Sequence, residues 1–460
     1  MISQLLPCII ISFTETDYLE TYAENPGDIY GASSIDKAMK NAYTQTRKFV
    51  MAEYGLTEAE VTTIITNGVD FAMTQLVDGN WGVHSVIPKS IFIEVTDDEM
   101  TSISRTGSRK LQEDVDLKLS KDTVHWGYFS KTLAPVLTIA SGDEVVVEMA
   151  THHACDDWDL MIKGDAGMES IYTWSNETKG EPYRGASGGG DGVHILTGPI
   201  FVEGAEPGDI LKVEIIDLVP RANPNGKTYG SNAAAWWGFH ARVNKTDGEA
   251  FYSGTFSSTP DKNDEVITIY EILDKGFATP LYQFEWPIIT DPDGVVRDYI
   301  AYPGTCVPHD GHGSSMLSLN LPSNAVLDMG WTKEGSITYM DDVFRARIPI
   351  NYHIGAMGLA PASHDFVDSI PPMPTGGNLD NKRIGIGTTM YYPVEVAGAL
   401  ISMGDTHAAQ GDSELDGTGI ETSLTGKFKL TVIKAADFTE SQKLLDFPLG
   451  ETKDEWIVHG

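Results

Sequence analysis

The sequence is poor in cysteine and in basic residues, and it contains no long apolar run. Its three cysteines, Cys8, Cys155 and Cys306, are far apart and odd in number. This excludes a disulfide framework and a cysteine-rich zinc site. Lysine and arginine total 32 against 66 acidic residues, which gives a formal net charge of −34. So acidic a chain repels nucleic acid and anionic membranes, and no window approaches the ~20 apolar residues that span a bilayer. We therefore expect a soluble protein that binds neither nucleic acid nor membranes.

The first segment, residues 1–12, is apolar and reads "MISQLLPCIIIS". It has no positively charged start and no clean cleavage site of small residues, so it is a poor signal peptide. The compartment stays open, with the cytoplasm favoured over secretion.

Residues 13–93 predict a helical segment. An apolar stripe follows Ser34, a candidate N-cap, and Gly55 marks the end of the first helix. Thr57 and Glu60 form a capping-box pattern at the start of a second helix. Ordinary helical packing accounts for most of these residues.

The residue composition changes twice after the helical segment. Residues 94–122 are polar, show no apolar period and predict an exposed linker. From residue 123 to 460, short runs rich in Val, Ile, Thr and Tyr alternate with turn residues. Two of them read as hairpins, "VLTIASGDEVVVEM" and "GPIFVEGAEPGDILKVEIIDL". We predict an α+β fold that is predominantly β, with a sandwich or barrel-like body of packed sheets and a helical appendage.

The stretch "GDTHAAQGD", residues 404–412, concentrates polar groups among glycines and alanines. On a strand, Asp405 and His407 share one face, because side chains alternate with a period of two. Gln410 and Asp412 follow in the turn, and Glu421 lies on the next predicted strand. Such a set suits a metal ion or proton transfer, although a surface turn is an alternative.

Further histidines lie in three other places. In "ATHHACDDWD", His152 and His153 would point to opposite faces of an extended chain, so they predict either one metal ligand or a solvated strand end. His194 follows a glycine-rich stretch in "GVHILTGPIF". His309 and His312, in "PHDGHG", are more typical of a surface or gating loop.

Several long blocks resemble a single family. They read "HWGYFSKTLAPVLTIASGDEVVVE", "HILTGPIFVEGAEPGDILKVEIIDL", "GGNLDN", "PVEVAGALISMGDTHAAQGDSELDGTGIE" and "FKLTVIK". Their order and spacing over residues 123–435 are similar to those of the acetamidase/formamidase family. Two other segments, "THHACDDWDLMIKGD" and "RANPNGKTYGSNAAAWWGFH", look like a particular branch, and we expect Trp236 and Trp237 to pack in a core or subunit interface.

The order of the blocks is unusual. Residues 13–93 resemble the segment that normally ends such proteins, and the chain end "ETKDEWIVHG" would continue in family order at about Phe13. The resemblance therefore predicts a circular permutation, or one frame of a tandem array, with residues 94–122 as the new connection. Permutation is tolerated where natural termini lie close together at the surface.

The resemblance implies an acetamidase/formamidase-like fold and hydrolysis of a small linear amide, formamide or acetamide, to a carboxylate and ammonia. It implies a homo-oligomer and a divalent ion, zinc by the mixed donor set, with calcium an option at a structural site. Alternatives are an enzyme of the same fold for another small amide or C–N bond, and a binding protein that kept the scaffold. The roles expected for the residues are metal binding by His152, His153, His194, Asp405 and His407; catalysis by Asp405, Asp412 and Glu421; and substrate binding by Asn378, Asp380 and Gln410.

Overall fold

The computed structural model describes residues 9–13, 35–75, 82–87, 91–92, 114–172, 194–234, 266–273, 276–285, 337–339, 346–369, 373–412, 414, 417–439, 442–445, 448–453 and 456–458. Four predictions lie outside these residues: Ser34 as an N-cap, the packing of Trp236 and Trp237, the loop with His309 and His312, and the first 20 residues of the predicted linker, 94–113.

Two helices form in the described part of the predicted helical segment, residues 13–93. In the described part of the chain the α-helices are α1 (Ile35–Tyr54), α2 (Glu58–Gly68), α3 (Trp158–Met161) and α4 (Ala166–Tyr172). Gly55 follows α1 with φ +66°, a left-handed conformation that suits glycine and ends the helix. The capping box of α2 is confirmed, because Thr57 accepts from the Glu60 amide and Glu60 accepts from the Thr57 amide. None of these helices has the length and apolar content of a membrane span.

The rest of the described chain is dominated by strands. They are, in chain order, β1 (Ile9–Phe13), β2 (Asp70–Gln75), β3 (Gly82–Ile87), β4 (Val124–Trp126), β5 (Tyr128–Phe129), β6 (Leu137–Ile139), β7 (Glu144–Met149), β8 (Ile195–Val202), β9 (Ile210–Pro220), β10 (Thr228–Ala234), β11 (Val266–Leu273), β12 (Phe277–Glu285), β13 (Ile337–Tyr339), β14 (Ile348–Pro349), β15 (His353–Leu359), β16 (Val367–Asp368), β17 (Gly376–Asn378), β18 (Thr389–Pro393), β19 (Ile401–Ala409), β20 (Ile420–Glu421), β21 (Leu424–Ile433), β22 (Leu449–Glu451) and β23 (Trp456–Val458).

Two large sheets form the body. Twelve strands join one sheet, whose main path runs β13-β12-β11-β10-β20-β19-β15-β17, with β14 paired to β12, β8 to β19, and β4 and β6 to β8. Six strands form the other in the order β23-β22-β18-β9-β21-β7. The largest apolar cluster contains side chains from both, such as Leu211 and Phe428 of the six-stranded sheet and Ile354 and Met403 of the twelve-stranded sheet. The two sheets therefore pack face to face, and the predicted β-rich sandwich with a helical segment is confirmed.

The two predicted hairpins were wrong in their pairing, although their strands form. β6 pairs with β8, whereas β7 pairs with β21; likewise β8 pairs with β19, whereas β9 pairs with β18 and β21. Each short Gly-Asp turn therefore carries the chain from one sheet to the other. The local pattern did not reveal this, because a turn between two strands of a sandwich uses the same residue types as a hairpin turn.

The helical segment docks beside the stretch 404–412. The Gly411 amide donates to the Thr66 carbonyl at 3.2 Å, and the Asp412 amide donates to Asp70 Oδ1 at 3.0 Å. Residues 114–122, the end of the predicted linker, lie against the body with Leu117 and Leu119 buried.

Candidate active site

Three neighbouring strands of the twelve-stranded sheet carry the centre of the site. His353 on β15 pairs with His407 on β19, and His407 pairs with Glu421 on β20. All nine residues of β19 are buried, including Asp405 and His407. A buried polar group is costly unless it has partners, so the polar content of this strand marks a site rather than a packing core.

Acidic side chains converge on His407. Its Nε2 atom lies 2.9 Å from Glu421 Oε1, 3.6 Å from Asp405 Oδ1 and 3.9 Å from Glu414 Oε1. Glu421 is held from behind, since Thr151 Oγ1 donates to Oε2 at 2.9 Å and the Gly419 amide donates to Oε1 at 3.2 Å. The carboxylate of Glu421 is therefore fixed against the imidazole.

Asp405 joins a second side of the cluster. Its Oδ1 lies 3.2 Å from His152 Nδ1, and its Oδ2 lies 3.6 Å from His194 Nε2. Gly355 sits between Asp405 and Asp380: a Cβ there would come within 2.6 Å of a carboxylate oxygen of each. Only glycine allows both acids to close over β15 at this point.

The backbone of the acidic residues is unusual. Asp380, Asp405 and Glu414 have φ values of +41°, +50° and +42°. Left-handed conformations of this kind are unfavourable for residues other than glycine and cluster at functional sites, where the surrounding structure maintains them.

In three histidines, the Nδ1 atom lies within hydrogen-bond distance of another side chain. Nδ1 of His153 lies 3.1 Å from Asp156 Oδ2, Nδ1 of His194 lies 2.8 Å from Ser369 Oγ, and Nδ1 of His407 lies 2.9 Å from Gln410 Oε1. This leaves Nε2 as the inward nitrogen of His194 and His407, while Nε2 of His153 is buried and has no hydrogen-bond partner in the described residues. Metal-binding and catalytic histidines are commonly oriented in this way.

The environment separates the pKa values of the acids. Burial would raise the pKa of Glu421, but His407 holds it below its ordinary value. Burial would also raise the pKa of Asp405, but His194 and His407 hold it well below. By contrast, burial and then the charge of Asp405 raise the pKa of Asp380 to about 8. Burial and then the neighbouring Asp380 carboxyl group raise the pKa of Glu414 well above its ordinary value. The cluster thus holds ionised and protonated carboxyl groups side by side.

The pKa values of the histidines also differ from one another. Burial lowers the pKa of His194 to about 4, and burial followed by the charge of His407 lowers that of His353 to about 4. Burial would lower the pKa of His407 as well, but Glu421 and Asp405 raise it well above its ordinary value. Without a bound ion, His407 is therefore the ring whose charge balances the ionised acids.

The donor set fits a divalent ion. His152, Asp405 and Glu421 each offer a ligand atom within 4.8 Å of the others, as do Asp380, Asp405 and His407. His152 Nδ1, Asp405 Oδ1 and His407 Nε2 are buried and make no well-oriented hydrogen bond within the described residues, despite their short separations. Lone pairs that converge without hydrogen bonds are what a bound cation requires.

Most of the sequence-predicted site residues come together. His152, His194, Asp380, Asp405, His407 and Glu421 contribute to the cluster directly. Asn378 ends β17 opposite Ala356. Both functional atoms of Gln410 engage the protein, Oε1 beside His407 and Nε2 donating to the Asp380 carbonyl at 2.6 Å. Asp412 lies apart from these groups and pairs with Arg383 at 3.1 Å and with Lys382 at 3.4 Å.

Sequence reasoning missed His353, Glu414 and Thr151. His353 lies 54 residues before His407, and only the register of β15 against β19 brings them together. The signal that could have found it is "HIG", a histidine two residues before a glycine in an otherwise apolar strand. Glu414 follows the stretch 404–412 by two residues, so a wider window would have included it.

Most residues of this cluster lie in one segment of the chain that matches a known protein family. Residues 191–452 match the model of the acetamidase/formamidase family; they include His194, Asp405, His407 and Glu421, whereas His152 precedes them. An acetamidase of Mycolicibacterium smegmatis is 31% identical over 237 residues, 49% of this chain and 50% of its own length. A formamidase of Methylophilus methylotrophus is 29% identical over 251 residues, 53% of this chain and 52% of its own.

The chain thus spans about half the length of the relatives it matches. Among solved structures, an acetamidase from Bacillus halodurans aligns with a TM-score of 0.40 and 23% identity, covering 73% of this chain and 74% of that one. The family segment covers more than half of the 460 residues and contains the centre of the cluster. On that ground the chain belongs to the acetamidase/formamidase family.

Proposed function

We propose that this protein hydrolyses the C–N bond of a small linear amide, formamide or acetamide, to a carboxylate and ammonia. The observation that carries the proposal is the buried convergence of His152, Asp405 and Glu421 and of Asp380, Asp405 and His407. In this cluster the pKa of Glu421 is lowered and that of Asp380 is raised to about 8. Pairs of acids with separated pKa values define a general base and a general acid. The names of the two relatives, acetamidase and formamidase, support the same reaction.

The chemistry divides among the residues as follows. Glu421 accepts a proton from water, whose oxygen then forms a bond to the amide carbon. The imidazole of His407, whose Nε2 lies 2.9 Å from Glu421 Oε1, orients this base. Asp380 donates its proton to the nitrogen as the C–N bond breaks, so ammonia leaves.

The donor set also supports a metal requirement. His152, Asp405 and His407 would hold the ion, for which zinc suits mixed imidazole and carboxylate ligands, with His194 beside them. A bound zinc ion would polarise the carbonyl and favour ionisation of nearby water. Asp405 and Asp380 both approach Gly355, where a Cβ would lie 2.6 Å from a carboxylate oxygen of each.

Ammonia release from formamide and acetamide tests the proposal. The purified chain is assayed as isolated, after chelation, and after zinc is added back. We expect release that disappears on chelation and returns with zinc. Glu421→Gln should abolish it, whereas Glu144→Gln, a half-exposed carboxylate paired with Lys427 on the six-stranded sheet, should not.

Each contrary result has a distinct meaning. No release from either amide favours another C–N substrate or a binding role. Ammonia release that is unchanged by chelation would support the amidase activity and contradict the metal requirement. Full activity in Glu421→Gln overturns the assignment of the base.

A further inference from the structure

Behind the cluster, three polar atoms meet in a closed triangle. His407 Nδ1 lies 2.9 Å from Gln410 Oε1 and 3.0 Å from His353 Nε2, and these two atoms lie 3.0 Å from each other. All three side chains are buried, and His353 and His407 are fully so. Their hydrogen bonds must therefore be satisfied within the protein.

Only one of the three atoms can donate. His353 Nδ1 lies 2.6 Å from the Asn351 carbonyl, which can only accept, so the single proton of the neutral His353 ring resides on Nδ1. Nε2 of His353 is then an acceptor. Gln410 Oε1 is an acceptor too, because the amide nitrogen of that side chain already donates to the Asp380 carbonyl. The donor is Nδ1 of His407.

Gln410 has a second effect. It ties the imidazole of His407 to the main chain of Asp380, whose amide in turn donates to the Gly355 carbonyl at 3.2 Å. Two members of one candidate ligand set, Asp380 and His407, are thus located by the same buried amide.

We propose that His353 and Gln410 are positioning residues that hold a proton on Nδ1 of His407 and so make Nε2 the nitrogen that faces substrate and zinc. The inference rests on the proposed function, because it assigns these roles to groups behind that same site. Groups that orient a ligand histidine in this way commonly change metal affinity by about 10–100-fold when removed.

Nitrogen-15 NMR of the histidine-labelled full chain tests this directly, with and without zinc. The His407→Asn spectrum identifies the His407 signals. We expect a proton on Nδ1 in both states of the wild-type protein and in His353→Gln, which keeps an acceptor near the position of Nε2. The double variant His353→Leu/Gln410→Leu should lose this fixed proton, and its zinc Kd, measured by chelator competition, should rise about 10–100-fold.

His125→Gln is the matched control, because His125 is also a buried strand histidine and its Nε2 lies 2.9 Å from Ser402 Oγ. Its His407 signals and zinc Kd should equal those of the wild type. A wild-type His407 without a proton on Nδ1 overturns the inference, even if the double variant fails to fold. So does a folded double variant that keeps both the proton and the zinc affinity. The NMR result does not depend on ammonia release, so an inactive protein with the expected signals contradicts the proposed function alone.

Discussion

Two strands of the same molecule use burial in opposite ways. β21 alternates between buried residues such as Phe428 and half-exposed ones such as Lys427 and Lys429, the period of a strand with one face on a core. β19 is buried at every position and still carries Asp405 and His407. The alternating strand β21 contributes to the core of the sandwich and buries few polar groups. The fully buried polar strand needs polar groups around it, and His353 of β15 and Glu421 of β20 lie beside His407.

The largest difference between the strands should come from their glycines. A Cβ on Gly404 of β19 would lie 1.9 Å from the Ile195 carbonyl, which is backbone of the paired strand β8. A Cβ on Gly426 of β21 would instead meet the far end of the Phe428 ring at 2.5 Å, where a side chain can shift. We expect Gly404→Ala to prevent folding and Gly426→Ala to cost about 1–3 kcal/mol. Soluble yield and urea unfolding measure the effect of each variant. Equal yield and equal unfolding free energy in the two variants would contradict this prediction.

The second contrast concerns activity. Asp405→Asn should lower kcat/KM for formamide by roughly 10³-fold, because a neutral amide binds the proposed metal ion more weakly than a carboxylate does. Circular dichroism should show an unchanged fold. Thr431→Ala, at a half-exposed position of β21, is the control and should keep wild-type kinetics. An equal loss in both variants would indicate a general effect on the sandwich.

The third contrast concerns stability. Phe428 of β21 is fully buried between the sheets, and its replacement by alanine should reduce the free energy of unfolding by about 3–5 kcal/mol. The rate per folded molecule should stay close to that of the wild type, since the ring lies in the apolar cluster and not beside the acids. Urea unfolding and initial rates on the same sample separate the two. A large loss of specific activity would show that the strands are not independent.

The smallest contrast is in pH dependence. The folded pKa of His353 is about 4, chiefly through burial, against 6.5 for an exposed histidine. Between these values the unfolded chain binds more protons, so the stabilisation is complete above pH 6.5 and declines as the pH falls towards 4. The contribution amounts to about 3 kcal/mol. Unfolding of zinc-free protein at pH 7 and pH 4.5 should show a shallower decline for His353→Gln than for Phe428→Ala, and identical declines would refute this.

The sequence predicted features that depend on local spacing. The capping box of Thr57 and Glu60 and the alternation of β21 need only a few neighbouring residues. The period-two rule also placed Asp405 and His407 together, although the left-handed backbone of Asp405 departs from a regular strand. His152 and His153 do not lie on a strand, because β7 ends at Met149. Their rings therefore lie side by side, with centroids 4.4 Å apart, instead of pointing to opposite faces.

Features that depend on register between distant segments were out of reach. Neither the triangle of His353, His407 and Gln410 nor the passage of each Gly-Asp turn between sheets follows from local pattern. Asp412 matched the residue types of a site, but its pairing with Arg383 is set by a loop 29 residues earlier. The permuted chain order, the homo-oligomer and the calcium site stay predictions.

The contact between Thr151 and Glu421 closes a loop of 270 residues. Bringing such distant segments together is entropically unfavourable and slow compared with forming local turns. His152, whose Nδ1 lies 3.2 Å from Asp405 Oδ1, also belongs to the earlier segment. We expect catalytic competence to be the last property regained on refolding, after the strand signal in circular dichroism has recovered. In a nascent chain, the proposed site would then come together only after Glu421 has left the ribosome.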